Sequence, residues 1–255
     1  MVSYEIYILR IFVLLNFDTM FRNLPPVTKN LIIINFIVWL AMFVLPHSLG
    51  FNIERIGALH YIQAPWFNPA QLFTYMFMHD SHNIAHILFN MFTLFMFGAT
   101  LERTLGSKRF LFFYISCGIG AALIQELVWY FTWPGFFAKI LAPLNGVSVH
   151  EMSAYLQENI NDIQVQGMIN QLATIGASGA IYGVLLAFGM LFPNVPLYFM
   201  FIPVPIKAKW MVMAYGVIEL LIGMSQANDG VAHFAHLGGM IFGFIIIYYW
   251  KKKAP

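Results

Sequence analysis

The chain has 255 residues, of which 60% are apolar and only 9% charged, with a mean hydropathy of +0.73. A soluble domain carries roughly a quarter charged residues, so this composition excludes one and specifies a polytopic membrane protein. A formal net charge of +2 gives no support to a nucleic-acid partner, and a single cysteine, Cys117, excludes intramolecular disulfides and a cysteine-based zinc site. The apolar surroundings of Cys117 mark it as an inert packing thiol.

Tyr4 to Phe17 is apolar but short for a crossing, and Arg10 interrupts it. No small-residue cleavage site follows, so it is not a signal peptide. Met20 begins a more usual start, with Arg22 and Lys29 leading into an apolar run. Residues 1–19 therefore read as an extension before the true start, the plain alternative being a short interfacial helix. At about 20 apolar residues per crossing, six spans follow. They are Leu31–Leu45, Ile84–Leu101, Phe110–Phe131, Ala173–Phe192, Trp210–Met224 and Ala232–Trp250. The expected architecture is an all-α, six-helix polytopic bundle at 31–250, between an N-terminal segment, 1–30, and a basic tail, 251–255.

Lysine and arginine in the short loops set orientation. One side holds Arg22, Lys29, Arg103, Lys108, Arg109, Lys207, Lys209 and Lys251 to Lys253; the other holds Arg55 and Lys139. Both termini and the 2–3 and 4–5 loops are thus expected to be cytoplasmic. A miscounted span would scramble this agreement. Of the two long outer loops, Pro46 to Asn83 is rich in apolar residues, including Pro65-Trp66-Phe67, and should lie in the interface. The other, Thr132 to Gln171, contains a polar stretch, Val149 to Gln166, suited to a surface helix. Glu126 and Glu219 fall inside spans 3 and 5. Such carboxylates are costly and often functional, but neither has a partner in sequence, and a buried structural hydrogen bond is expected for each.

Three spans carry rare polar groups near their starts. Span 2 opens with His82, His86 and Asn90, spaced by four and so on one helix face. Span 4 opens with Gly176-Ala177-Ser178-Gly179, with Tyr182 one turn deeper. Span 6 opens with His233 and His236, followed by Gly238-Gly239 and Gly243. All three spans enter from outside. At 1.5 Å per residue, Ser178, His86, Asn90 and His236 lie roughly 5 to 15 Å below the outer surface. This common depth is not expected of chance placement.

A serine among small residues is either a helix-packing motif or a nucleophile awaiting a base. Gly179 and Gly183 form a small-residue ridge on span 4, and Gly239 and Gly243 form one on span 6. If these ridges meet, Ser178 and His236 come within hydrogen-bond distance. Ser178 is then the nucleophile and His236 its base, with the Ser178 backbone N–H, His86 and Asn90 as oxyanion donors. The positive ends of helices 2 and 4 add a favourable field. Gly176, Gly179, Gly239 and Gly243 are expected to shape the site, and Tyr182 to stack on or hydrogen-bond His236.

The competing reading is a metal. His79, His82, His86, His233 and His236 form a cluster with Asp80 beside it, as a metal-ion or small-molecule transporter would need. No H-E-x-x-H is present, and this reading leaves the serine motif idle. No metal or cofactor is therefore expected. His47, His60, His79 and His150 are expected to be satisfied interfacial groups, with His82 and His233 left open.

The ordered set resembles the rhomboid intramembrane serine proteases over roughly Pro69 to Phe244. It comprises His86-x-x-x-Asn90, Glu102-Arg103 with Leu105-Gly106-Ser107, Gly176-Ala177-Ser178-Gly179, Tyr182, and Ala235-His236-x-Gly238-Gly239-x-x-x-Gly243. The resemblance implies a six-helix bundle whose shortened fourth helix starts mid-membrane. It also implies Ser178 as nucleophile, His236 as base, His86 and Asn90 as oxyanion donors, and Tyr182 supporting the histidine ring. Phe67 to Leu72 lacks the Trp-Arg pair of many members, so loop anchoring differs. The second outer loop is longer than in compact bacterial members. The resemblance implies an endopeptidase of a bacterial inner membrane, with transmembrane proteins as substrates and the bilayer as its medium. A non-catalytic, client-binding relative is the other alternative.

Overall fold

The computed structural model describes residues 23–198, 204–225 and 231–253. The expectations for residues 1–19 fall outside them. Among the described residues, five helices are long and apolar enough to cross a membrane, and a sixth apolar helix is shorter. They are α1 (Pro26–Leu49), α2 (Ile84–Leu105), α3 (Ser107–Asn145), α4 (Ser178–Leu191), α5 (Ala208–Ser225) and α6 (His233–Lys253). The protein is thus an all-α, multi-pass membrane bundle. Large apolar side chains point outward along it, such as Ile37 and Leu221, each 62% exposed, as lipid-facing residues must.

The inner end is fixed by Glu102. Pro25 at the N-cap of α1 has no side-chain cap of its own. The Glu102 carboxylate instead accepts the Val27 and Thr28 backbone N–H groups at 3.0 and 2.7 Å, and the Thr28 and Ser107 hydroxyls at 2.8 and 2.7 Å. An acceptor anion at the positive end of α1 satisfies orphan donors and complements the helix dipole. The Arg103 guanidinium donates to the Asn23 carbonyl at 3.0 Å. Gly106 makes the tight turn from α2 to α3 at φ +79°, a conformation that favours glycine.

Two spans differ from the sequence expectation. The third does not end at Phe131. The helix runs 39 residues to Asn145, with Pro134 and Pro143 inside it. That is about 58 Å of helix, longer than the ~30 Å hydrocarbon core. The segment expected to be loop continues the helix because it has an apolar face to bury. Trp133, Phe137, Ala138 and Ala142 pack with Met152, Leu156, Val165, Ile169 and Tyr61 into a second, outer core. The polar stretch expected as one surface helix is two, Val149–Glu158 and Ile163–Ile169. Ser148 and Glu151 close a capping box on the first of them. The fourth span is a 14-residue helix that starts at Ser178 rather than Ala173, the shortened fourth helix that the resemblance implies. Gly176 sits at φ +136°, outside helical space, so the chain enters extended and begins to coil at Ser178.

The outer loops fold on one another. β1 (Leu59–His60) pairs antiparallel with β2 (Ala173–Thr174). Gln71, fully buried, accepts from the His60 N–H and donates to the Ile56 and Trp66 carbonyls. Glu126 accepts the Ile62 N–H at 2.8 Å, the structural bond expected of it. On the inner side β3 (Pro196–Tyr198) pairs with β4 (Pro205–Lys207).

Candidate active site

α3, α4 and α6 meet backbone to backbone. A Cβ added to Gly239 would stand 1.8 Å from the Gly179 carbonyl oxygen, and one on Gly243 would stand 3.2 Å from Gly183 Cα. One on Gly183 would meet Cys117 Sγ at 2.6 Å, and one on Gly238 would meet Ala121 Cα of α3 at 3.0 Å. The two glycine ridges therefore face each other, and buried Cys117 fills the wall behind them. Only residues without a Cβ allow this approach.

That seam sets the first residue of α4 against the first turn of α6. Ser178 Oγ lies 2.7 Å from His236 Nε2. Tyr182 stacks on the His236 ring, with centroids 4.2 Å apart and planes 7° from parallel. His236 is buried and Ser178 half-buried, so the hydroxyl is reachable while the imidazole is shielded.

α2 completes the other side of the site. His86 Nδ1 accepts the Asp80 backbone N–H at 3.4 Å, which leaves Nε2–H as the free donor. That nitrogen faces the site: a Cβ on Gly176 would stand 2.9 Å from His86 Nε2 and 3.5 Å from Ser178 Oγ. Gly176 thus serves twice, by its left-handed φ and by leaving this space open. Asn90 is 7% exposed, and among the described residues its Nδ2 has no hydrogen-bond partner. Buried donors rarely go unpaired, so Asn90 Nδ2 is a donor still available beside Ser178 and His86. The N-terminal N–H groups of α4 add to the same field.

With the bundle and its paired Ser178 and His236 described, the comparison with known proteins decides the family. A family model described as the rhomboid domain matches residues 67–253. The chain belongs to the rhomboid family. It is 25% identical over 242 residues to the putative rhomboid protease YdcA of Bacillus subtilis, covering 93% of this chain and 94% of that protein. It is 26% identical over 167 residues to the mitochondrial Rhomboid protein 1 of Saccharomyces cerevisiae, covering 66% of this chain and 38% of that protein. It is also 26% identical over 227 residues to the mitochondrial presenilin-associated rhomboid-like protein of Rattus norvegicus, covering 82% of this chain and 49% of that protein.

In this rhomboid chain the fifth span contributes a residue to which sequence reasoning gave no part in the site. Glu219 of α5 is buried, and its Oε2 lies 2.9 Å from His236 Nδ1 and 2.6 Å from His233 Nδ1. Its Oε1 accepts the Tyr182 hydroxyl. The expected structural hydrogen bond is there, but it reaches the His236 ring itself. Counting depth finds it. α5 ends with Ser225 and α6 starts with His233, so Glu219 and His236 lie about 9 and about 4.5 Å in from neighbouring helix ends, within reach of each other.

The five-histidine metal cluster does not assemble. His82 is exposed, its backbone N–H bonded to Asp80 Oδ1 at 2.8 Å. Among the described residues, the group with metal-ligand spacing is Glu219, His233 and His236, ligand atoms within 4.8 Å of one another. Hydrogen bonding accounts for that spacing. His79 departs from expectation too. It is fully buried, and neither ring nitrogen makes a well-formed hydrogen bond among the described residues. Burial first, then the neighbouring His86, pushes its pKa down to about 3. It packs as a neutral ring edge-on to His86, centroids 5.0 Å apart, and helps hold that ring in place. His60 Nδ1 lies 3.1 Å from the Asn170 carbonyl, and His47 Nδ1 2.8 Å from the Phe43 carbonyl. His150 is exposed.

Proposed function

We propose that this rhomboid protein is an intramembrane serine endopeptidase acting through Ser178 and His236. The observation that carries the reading is the 2.7 Å contact between Ser178 Oγ and His236 Nε2, held inside a glycine seam. Ser178 Oγ attacks the scissile carbonyl carbon and its proton passes to His236 Nε2. The oxyanion so formed is met by His86 Nε2–H, Asn90 Nδ2–H and the Ser178 N–H. His236 then protonates the departing amine, and water hydrolyses the acyl-enzyme by the reverse proton path. No metal or cofactor is required by this scheme.

Substrates are transmembrane or juxtamembrane segments of other membrane proteins, cut near the outer face, where the open ends of α2, α4 and α6 gather. A helical peptide bond is covered and hydrogen-bonded, so a substrate must unwind locally, and helix-weak stretches with small residues are favoured. The lysine and arginine distribution supports cytoplasmic termini, with segments 1–30 and 251–255 on either side of the membrane domain. Similarity along nearly the whole length of a Bacillus protein supports a bacterial cytoplasmic membrane.

The test is cleavage of a reconstituted transmembrane substrate by purified protein. Ser178→Ala and His236→Ala each reduce turnover to background while the melting temperature is kept. Full activity in either variant contradicts the assignment.

A further inference from the structure

Glu219 is a carboxylate on a membrane helix, and such a group is expensive unless its charge is matched by donors. Here both oxygens are used. Oε1 accepts from Tyr182, and Oε2 faces His233 Nδ1 and His236 Nδ1. An ionised carboxylate only accepts hydrogen bonds, so both imidazoles must carry their proton on Nδ1. For His236 this leaves a lone pair on Nε2, the nitrogen 2.7 Å from Ser178 Oγ.

We propose that Glu219 is a positioning residue that fixes the tautomer and orientation of His236, so that Ser178, His236 and Glu219 form a triad contributed by α4, α6 and α5. The proposal rests on the Ser178–His236 reading. Tyr182 and Glu219 clamp the imidazole from its face and its edge. His233 supplies the second donor to Oε2, which keeps the carboxylate from swinging away. In the reaction the Ser178 proton moves to His236 Nε2 and leaves again with the amine. The Nδ1 proton stays where it is, and Glu219 remains a carboxylate that stabilises the transient imidazolium. α5 has few buried residues in its described length, Ala208, Val212 and Glu219. Glu219 is therefore the polar fastening by which a lipid-facing helix reaches the reaction centre.

Glu219→Gln tests this. The amide offers one acceptor oxygen where Tyr182, His233 and His236 all present donors, and its NH2 turned toward His236 favours the wrong tautomer. The expected result is a kcat lower by roughly 10²- to 10⁴-fold with KM within about twofold of wild type. A purely structural Glu219 would lower stability without that split. Nitrogen-15 NMR of labelled histidine in the wild-type protein reads the tautomer directly, even where the variant does not fold. His236 is expected protonated at Nδ1 and bare at Nε2. Resting His236 protonated at Nε2, or a Glu219→Gln kcat within about twofold of wild type, overturns the proposal. Ser178→Ala separates the two claims: if it abolishes cleavage while Glu219→Gln does not, the dyad stands and the triad falls.

Discussion

Two helices, α4 and α5, hold His236 in place, and they do so by different physics. On one side α4 and α6 are joined by glycines whose backbones touch, with Gly239 against the Gly179 carbonyl. On the other, α5 meets α6 through side chains, Met240 against Gly216 and Phe234 against Gly223. A Cβ on Gly216 would meet only the flexible Met240 Cε, at 3.2 Å, and the polar link is the Glu219 carboxylate. The first contact sets a distance and tolerates no insertion. The second sets an orientation and is carried by one group. The 2.7 Å contact between Ser178 and His236 is thus set by rigidity in the backbone. Its proton bookkeeping sits on a helix that otherwise faces lipid.

Adding one methyl to each seam separates the two most sharply. Gly239→Ala forces the α4 and α6 backbones apart. Melting should show a loss at the upper end of overpacking costs, roughly 3 kcal/mol or more. Cleavage should fall by roughly 10²-fold or more, because misplacing catalytic groups by about 1 Å is enough. Asn90→Ala touches neither seam. It should leave melting nearly unchanged while lowering kcat by roughly 10²- to 10³-fold, the usual cost of one oxyanion donor. Val212→Ala removes the α5 side chain that lies against Gly189. Thermal unfolding should report about 1 kcal/mol of destabilisation, with turnover retained. Gly216→Ala is the smallest: the Met240 end yields, and helix propensity returns up to about 1 kcal/mol. Gly216→Ala as damaging as Gly239→Ala would erase the distinction between the seams.

Most of the site was legible because it obeys helix periodicity. His86 and Asn90 share a face, Gly179–Gly183 and Gly239–Gly243 form ridges, and Tyr182 lies one turn below Ser178. Each of those relations is local, and the long-range steps were to let two small-residue ridges meet and to match depths across three spans. Glu219 escaped because its partners, Tyr182, His233 and His236, lie 37, 14 and 17 residues away on two other helices. A lone carboxylate has no local pattern to announce it. The length of α3 was missed for a different reason. Its outer third buries Trp133, Phe137 and Ala142 under the helices that follow it, not in lipid. Hydropathy cannot separate that segment from a loop. The break before α4 is the reverse case, since Gly176 at φ +136° overrides an apolar run that composition alone reads as one helix.

The central claim is that Ser178 is an activated nucleophile, and covalent labelling tests it most directly. Detergent-purified protein treated with a fluorophosphonate probe should gain a single adduct, which peptide mass spectrometry assigns to Ser178. Ser178→Ala should gain none, and His236→Ala should label far more slowly than wild type. A folded wild-type protein that takes up no probe, or an adduct that persists in Ser178→Ala, contradicts the account.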